Sequence, residues 1–469
     1  MQNDIGIIGL GTMGQNLALN CTEKGFSVAV FNRTFEKTQE FLAQNANNAL
    51  QGFSAMPELV SSLKSPRIIL MMIPAGEGID HLIDELLPLL SSNDVLIDGG
   101  NSYFKDTQNR LQVCEEKGIL YVGAGISGGQ KGARYGPSIM PGGSQKAWEL
   151  IKPLFQAISA KTQNGSPCCE WIGPDGSGHY IKMVHNAIEY ALMQLIAETY
   201  WLAKQICEMT NSEIAQLFGK YNEGKLNSYL LEITEKILVK KATDAQVELV
   251  DTILDKPQQK GTGKWTVQNA LDIGVSIPTL SESVFARITN SLKDERVKAS
   301  KKYEKPDSTL SEDEKAQIQS SLESALYTAQ IIAFSQGFGL LKYASDEYKW
   351  SLDYAEIASI WKEGCIIRSK LLEPIMNAYE KEKDLNHLIV SDVFIDELTK
   401  SLPDLRKVSI AAIQYHVAVP TLSSALQFFD AITSTNSPAN IIQAQRDFFG
   451  SHMYELVEKE GTFHTQWEV

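Results

Sequence analysis

Residues 5–14 read Ile5-Gly6-Ile7-Ile8-Gly9-Leu10-Gly11-Thr12-Met13-Gly14. A short apolar run of the buried-strand kind ends in glycines spaced G-x-G-x-x-G, and a helical pattern follows over 16–24. Glycine at these places permits a tight turn, close approach of the backbone to a pyrophosphate, and close packing of helix on strand. The helix start adds free N–H groups and a partial positive charge. Strand, glycine turn and helix in this order predict a dinucleotide-binding turn at the head of a Rossmann-like fold.

Working outward, further apolar runs at 27–31, 68–73, 95–98 and 120–123 alternate with amphipathic stretches such as 35–44. That alternation predicts an α/β domain, a doubly wound parallel sheet with helices on both faces. Each run enters a Gly-, Asn- or Pro-rich turn, where open sheets of this type bind ligands. The second run ends Phe31-Asn32-Arg33-Thr34. An NAD site expects a carboxylate there for the ribose 2′-OH. Arg33 instead suits a 2′-phosphate, so the expected cofactor is NADP. Thr34 is also placed to cap the next helix.

Near 173–178 the texture changes. To about residue 434 the apolar residues recur at helical spacing, and 179–206 is long enough for a helix of ~40 Å at 1.5 Å per residue. The expected domains are 1–176 for the dinucleotide, 177–434 as an all-helical substrate and dimerisation domain, and 435–469 as a tail. Segments around Ala191–Lys204 and Leu326–Lys342 resemble each other, and the stretches after them do so too. An internal duplication and the shared look of one-faced helices both account for this. Residues 298–314, charged and broken by Pro306, are expected to form a solvated connection. The tail carries Phe448, Phe449, Tyr454, Phe463 and Trp467, which need a surface on this subunit or a neighbour.

Composition sets the outer limits. With 469 residues, 43% hydrophobic and 21% charged, the chain can bury a large core. A net charge of −14 argues against nucleic acid held by bulk charge, so an anionic ligand needs a local group of cations. The six cysteines show no zinc spacing, and Cys168-Cys169 reads as small buried residues rather than a bridge. No apolar stretch approaches the ~20 residues of a membrane span, and Met1-Gln2-Asn3-Asp4 lacks a basic leader. A cytoplasmic location with no membrane partner is expected.

Chemistry points to one helix. Lys182, His185, Asn186 and Glu189 fall on one stripe at 100° per residue, among apolar neighbours. Lys and Glu converging on a buried stripe suit general base and general acid, provided burial or nearby cations lower the lysine from ~10.4. The plain alternative is a solvated face. The turns Asp98-Gly99-Gly100-Asn101-Ser102 and Gly125-Ile126-Ser127-Gly128-Gly129 both follow strands and could meet the same substrate. Lys260-Gly261-Thr262-Gly263-Lys264 lacks the strand of a Walker loop but could surround a phosphate, with Arg287 and Arg446 as further cations. No acidic pair or histidine cluster suggests a metal, so metal-free chemistry is expected.

These motifs, with 178–190, 260–265, 283–287 and 444–452, together resemble the 6-phosphogluconate dehydrogenase family from end to end. The resemblance implies oxidative decarboxylation of 6-phosphogluconate to ribulose 5-phosphate with reduction of NADP+. It makes Lys182 the base at the C3 hydroxyl and Glu189 the acid that protonates C1 of the enediol. Gly9, Leu10, Gly11, Thr12, Met13, Gly14, Asn32, Arg33, Thr34, Ile73, Pro74, Ala75 and Asn101 would contact the cofactor. Asn101, Ser127, Gly128, Gly129, His185 and Asn186 would hold the sugar acid. Tyr190, Lys260, Thr262, Arg287 and Arg446 would hold the phosphate. It further implies a homodimer whose tail enters the second subunit, bringing Arg446 and His452 across. At Pro74 many members carry Lys, which leaves Arg33 more nearly alone beside a 2′-phosphate. Rival readings are a dehydrogenase of the 3-hydroxyisobutyrate type, which needs no phosphate clamp, and a non-catalytic NADP sensor, which would not need both Lys182 and Glu189.

Overall fold

A computed structural model describes residues 2–243, 246–258, 261–303 and 310–467. The first part alternates β1 (Ile5–Ile8), α1 (Thr12–Glu23), β2 (Val28–Phe31), α2 (Phe35–Gln44), β3 (Leu50–Gly52), α3 (Met56–Ser61), β4 (Ile68–Met71) and α4 (Glu77–Leu86). It continues with β5 (Val95–Asp98), α5 (Phe104–Glu115), β6 (Leu120–Ile126), α6 (Gly129–Tyr135), β7 (Ile139–Gly143) and α7 (Gln145–Ile158). The seven strands form one sheet in the order β3-β2-β1-β4-β5-β6-β7. Strands β1 to β6 pair in parallel and β7 runs antiparallel to β6.

Period-two alternation divides the core between the two faces of the sheet. Ile5, Ile7, Val28, Val30 and Ile97 pack with Leu17 of α1 and Trp148 of α7. Ile8, Ala29, Ile69, Met71 and Leu96 pack on the other face with Leu59 of α3, Ile79 of α4 and Cys114 of α5. Each fully buried aliphatic side chain of this kind contributes about 1.5–3 kcal/mol. Two strands escaped the sequence pattern. β3 has three residues and only Leu50 is buried, so no apolar run marks it. β7 reads Ile139-Met140-Pro141-Gly142-Gly143, buried throughout, and its Pro and Gly disguise a strand.

The helical part comprises α8 (Ser177–Gln205), α9 (Asn211–Glu223), α10 (Tyr229–Leu238), α11 (Leu249–Thr252), α12 (Thr262–Asp272), α13 (Pro278–Ser291) and α14 (Lys293–Ser300). After it come α15 (Glu312–Tyr348), α16 (Tyr354–Ile360), α17 (Leu372–Lys381), α18 (Asp392–Gln414) and α19 (Pro420–Ile432). Of the expected solvated connection at 298–314, residues 298–300 end α14, a charged helix that buries nothing, and 312–314 begin α15, whereas 304–309 lie outside the described residues.

α8 is the hub. It packs on β6, β7, α12, α13 and α15 and is buried on almost every side. Its approach to the sheet depends on glycine: a Cβ on Gly125 of β6 would sit 2.4 Å from the Lys182 Cβ. Near its other end the buried Glu198 accepts from the backbone N–H groups of Thr421 and Leu422 at 3.0 and 2.9 Å, capping α19.

The chain divides into two compact units, Met1–Ala425 and Leu426–Val469. Taken by itself, the second contains α20 (Ala439–Gly450) and an antiparallel ribbon of β8 (Tyr454–Leu456) and β9 (Lys459–Phe463). Asp447, fully buried, organises it by accepting from Met453 N, His464 Nδ1, Thr465 N and Trp467 Nε1 at 2.9–3.0 Å. All six cysteines are unpaired, Cys168 and Cys169 among the buried ones. Among the described residues no helix is long and apolar enough to cross a membrane.

Candidate active site

The glycine turn stands at the C-terminal end of β1. Gly9 has φ 101° and its missing Cβ would lie 2.5 Å from the Met72 carbonyl oxygen; one on Gly14 would lie 2.0 Å from that of Gly9. A Cβ on Gly11 would have no described atom within 4 Å beyond its own chain neighbours, so this position is open for a ligand to approach the backbone. Asn32 braces the turn, its Oδ1 accepting from Leu10 N at 3.1 Å and its Nδ2 donating to Thr34 O at 3.1 Å. Arg33 is exposed at the edge of this crevice. Thr34 occupies the N-cap of α2 but its side chain makes no capping hydrogen bond, so the first N–H groups of that helix are left without that partner. Thr12 and Met13 open α1, and Ile73, Pro74 and Ala75 form the turn after β4, where Ile73 lies against Gly9. An open glycine turn with a guanidinium at the end of β2 fits NADP.

Asn101 is exposed in the turn after β5, above a buried base formed by Asp98 and Ser102. Tyr103 next to it lies against Trp265 of α12 with ring centroids 5.2 Å apart, which brings Thr262 toward the same crevice.

Below this turn runs the polar stripe of α8. It is not a solvated face: Lys182 is 5% exposed, His185 0% and Asn186 9%. Lys182 Nζ lies 3.4 Å from His185 Nδ1, the same nitrogen lies 3.2 Å from Asn186 Oδ1, and His185 Nε2 lies 3.3 Å from Ser127 Oγ. Asn186 Nδ2 donates to Thr262 Oγ1 at 3.4 Å. Glu189 Oε2 stands 3.9 Å from His185 Nδ1. Burial lowers the pKa of Lys182, against the opposing charge of Glu189. Burial raises Glu189, against Lys182 and Arg287. Burial, and then the neighbouring Lys182, push His185 well below its ordinary value. Burial thus shifts Lys182 and His185 in the direction of their neutral forms and Glu189 in the direction of its protonated form.

One turn further on, the Arg287 guanidinium covers the Tyr190 ring at 3.7 Å. Arg287 also donates to Gln258 O at 3.3 Å, and burial lowers its pKa. Lys260 lies outside the described residues. Arg446 and His452 belong to the second unit, where Arg446 Nη1 donates to Gln443 Oε1 at 2.8 Å and His452 meets Phe449 edge to face at 5.8 Å. The first unit thus gathers Ser127, Lys182, His185, Asn186, Glu189, Tyr190, Thr262 and Arg287 around α8. Among the described residues no three His, Cys, Asp or Glu side chains gather as a metal site.

Three contributors were not read from the sequence. Trp361, fully buried, meets the His185 ring edge to face at 5.5 Å and donates Nε1–H to Met140 Sδ at 3.4 Å. Gly364, in the same loop between α16 and α17, accepts from Ser138 N at 2.8 Å and presses its carbonyl against Gly128. The Cys365 thiol, pushed up to about 12 by burial, donates to Trp361 O at 3.0 Å. Local pattern offered only a glycine in a loop, and nothing tied it to residues more than two hundred positions earlier.

Residues 4–173 match the family described as the NAD binding domain of 6-phosphogluconate dehydrogenase, and 178–467 match the 6-phosphogluconate dehydrogenase C-terminal domain. The chain is 48% identical over 466 residues to the NADP(+)-dependent, decarboxylating 6-phosphogluconate dehydrogenase of Bacillus subtilis, covering 99% of each. It is 46% identical to the decarboxylating 6-phosphogluconate dehydrogenase of Rattus norvegicus, covering 99% of this chain and 97% of that one. Among solved structures, Plasmodium falciparum 6-phosphogluconate dehydrogenase matches with a TM-score of 0.96 at 43% identity, over 99% of this chain and 100% of that one. That enzyme is described in complex with its cofactor NADP+ and with its substrate 6-phosphogluconate.

Proposed function

The chain belongs to the 6-phosphogluconate dehydrogenase family, and from that premise we propose how it oxidises and decarboxylates 6-phosphogluconate to ribulose 5-phosphate and CO2 with NADP+. The observation that carries the assignment of roles is the α8 stripe, on which burial lowers Lys182 and raises Glu189.

NADP+, when bound, supplies the hydride acceptor. The turn from Gly9 to Gly14 and the start of α1 would hold its pyrophosphate, and Arg33 with the open start of α2 its 2′-phosphate. Neutral Lys182 takes the C3 hydroxyl proton as that carbon is oxidised to a ketone. The bond from C2 to the carboxylate carbon then breaks. Its electrons move into the C3 carbonyl, which Lys182, now protonated, polarises and protonates. Protonated Glu189 delivers a proton to the carbon that has lost CO2, which becomes C1 of ribulose 5-phosphate, while Lys182 recovers the enediol proton. Asn101, Ser127, Gly128, Gly129, His185 and Asn186 orient the sugar acid. Tyr190, Thr262 and Arg287, with Lys260, hold the phosphate.

On this reading residues 1–176 bind the dinucleotide and 177–434 the substrate, and 435–469 dock on the second subunit of a homodimer, to which Arg446 and His452 contribute. The aromatic tail, internally held by Asp447, supports that assignment. A cytoplasmic location belongs to the same proposal and is supported by unpaired cysteines throughout.

The decisive experiment follows absorbance at 340 nm with purified protein and 6-phosphogluconate, comparing NADP+ with NAD+ and measuring CO2. Reduction of NADP+ in step with CO2 supports the reaction and the role of Arg33. Preference for NAD+ overturns the 2′-phosphate reading alone. Silence with both, from a folded protein that binds NADPH, favours a sensor.

A further inference from the structure

Arg110 of α5 is 3% exposed and has no part in the chemistry above. Its guanidinium engages all five N–H donors. Nε donates to Asp80 Oδ1 at 2.6 Å, while Nη2 donates to Asp80 Oδ2 at 3.0 Å and to Gly76 O at 3.1 Å. Nη1 donates to Asp98 Oδ2 at 3.4 Å and Ser102 Oγ at 3.3 Å. The acceptors fall into two groups. Gly76 and Asp80 begin α4, directly after the turn of Ile73, Pro74 and Ala75. Asp98 and Ser102 bracket the turn that carries Asn101.

The second group is closed from within. Asp98 is fully buried and also receives Ser102 O–H at 2.6 Å, Gly100 N–H at 3.0 Å and Tyr121 O–H at 3.4 Å. This end is held from within, because Asp98 is out of water and accepts from several donors, the nearest being Ser102 and Gly100 of its own turn. The Asp80 end differs, since its carboxylate is half exposed and meets the fork by a bidentate pair. One planar group therefore joins a fixed turn to an adjustable one across neighbouring strands β4 and β5. A lysine could not do this, because its single nitrogen cannot reach both carboxylates in fork geometry.

We propose that Arg110 is a positioning residue that sets the separation of the 73–76 and 98–102 turns, and through it the affinity for the nicotinamide dinucleotide. The inference rests on the reading of the crevice as a dinucleotide site. It assigns the Asp80 end to the cofactor alone and the Asp98 end to both cofactor and sugar acid.

Two variants of the full chain test it. Asp80→Asn loosens the exposed end without uncovering Asp98, and Arg110→Lys keeps a charge for Asp98 while losing the fork. Fluorescence titration with NADPH, without substrate, reads binding independently of turnover, and thermal unfolding monitors the fold. Asp80→Asn should weaken NADPH binding and raise KM for NADP+ by about threefold to tenfold, the range of one charge-assisted hydrogen bond, with KM for 6-phosphogluconate changed less than about twofold. Arg110→Lys should raise both KM values. Unchanged NADPH affinity in Asp80→Asn, with or without a lower Tm, overturns the proposal and leaves Arg110 a structural residue. If Arg110→Lys fails to fold, Asp80→Asn alone decides. A wild type that binds NADPH but does not turn over 6-phosphogluconate removes the proposed function while the titration still tests Arg110, and one that binds no NADPH overturns both.

Discussion

Lys182 and Glu189 stand two turns apart on one stripe of α8, and burial moves their proton affinities in opposite directions, the lysine down and the glutamate up. Between them His185 Nδ1 lies 3.4 Å from Lys182 Nζ and 3.9 Å from Glu189 Oε2. Each group is thereby shifted toward the protonation state that its proposed role requires, before any substrate arrives.

Replacing either group should separate chemistry from binding. Lys182→Met and Glu189→Gln are expected to lower kcat by about 100-fold to 10,000-fold, the range of a lost general base or acid. NADPH affinity should stay within about twofold, because neither side chain belongs to the glycine turn. Steady-state rates with a fluorescence titration check both. Near-normal turnover in either variant would remove its assigned role.

The pH profile of kcat/KM should be bell-shaped, since the active form holds one proton on the pair, on Glu189 and not on Lys182. Activity falls in acid as the lowered Lys182 takes up a second proton, and in alkali as the raised Glu189 loses the last one. Glu189→Gln should abolish the alkaline limb of its residual activity. Its acid limb should persist, because Glu189 is already uncharged in the form in which Lys182 takes up that second proton. A basic limb unchanged in Glu189→Gln would contradict the assignment.

Gly128 has φ 109°, and its Cβ would lie 2.5 Å from the Gly364 carbonyl oxygen. A side chain there is disfavoured by backbone conformation, by about 1–2 kcal/mol, and by a contact that only movement can relieve. Gly128→Ala should therefore displace the turn that holds Ser127 and Gly129. The expected outcome is a rise in KM for 6-phosphogluconate of about tenfold or more with NADPH binding retained. An unchanged KM would show that the loop between α16 and α17 does not hold this turn.

Asp447 ties the tail ribbon to α20. Burial pushes its carboxyl up, but the N–H groups of Thr465, His464, Trp467 and Met453 together outweigh that and hold it well below the usual carboxylate range. A depressed carboxylate contributes stability that is present above its unfolded value and fades as pH falls toward its folded one. Asp447→Ala should free Trp467 Nε1 and shift tryptophan emission to the red at neutral pH. Wild type should show the same change only in strong acid. On the dimer reading, KM for 6-phosphogluconate should rise as Arg446 and His452 lose their support. Emission identical to wild type would mean that the tail folds without this carboxylate.

Parts of this were legible because they are local. The glycine spacing after β1, Arg33 at the end of β2 and the polar stripe of α8 all lie within one or two helical turns or strand steps, where periodicity reports directly on faces. The antiparallel β7 was not legible, because Pro141, Gly142 and Gly143 break any apolar run and only pairing with β6 makes them a strand. The charged stretch at 298–314 read as a solvated connection, yet its two ends belong to α14 and α15, because charged residues are also compatible with a helix in water.

The sequence by itself determined the α/β and all-helical architecture, the cofactor turn and which side chains share a stripe, because backbone conformation and side-chain periodicity are properties of neighbours along the chain. Only the tertiary structure decided that the stripe is buried, and burial is what moves Lys182 down and Glu189 up, in the directions their proposed roles need. It also brought Trp361 and Gly364 against His185 and Gly128, and Arg110 between two turns. Dehydration and contact at long sequence separation arise only when distant segments close on one another, so no local pattern records them.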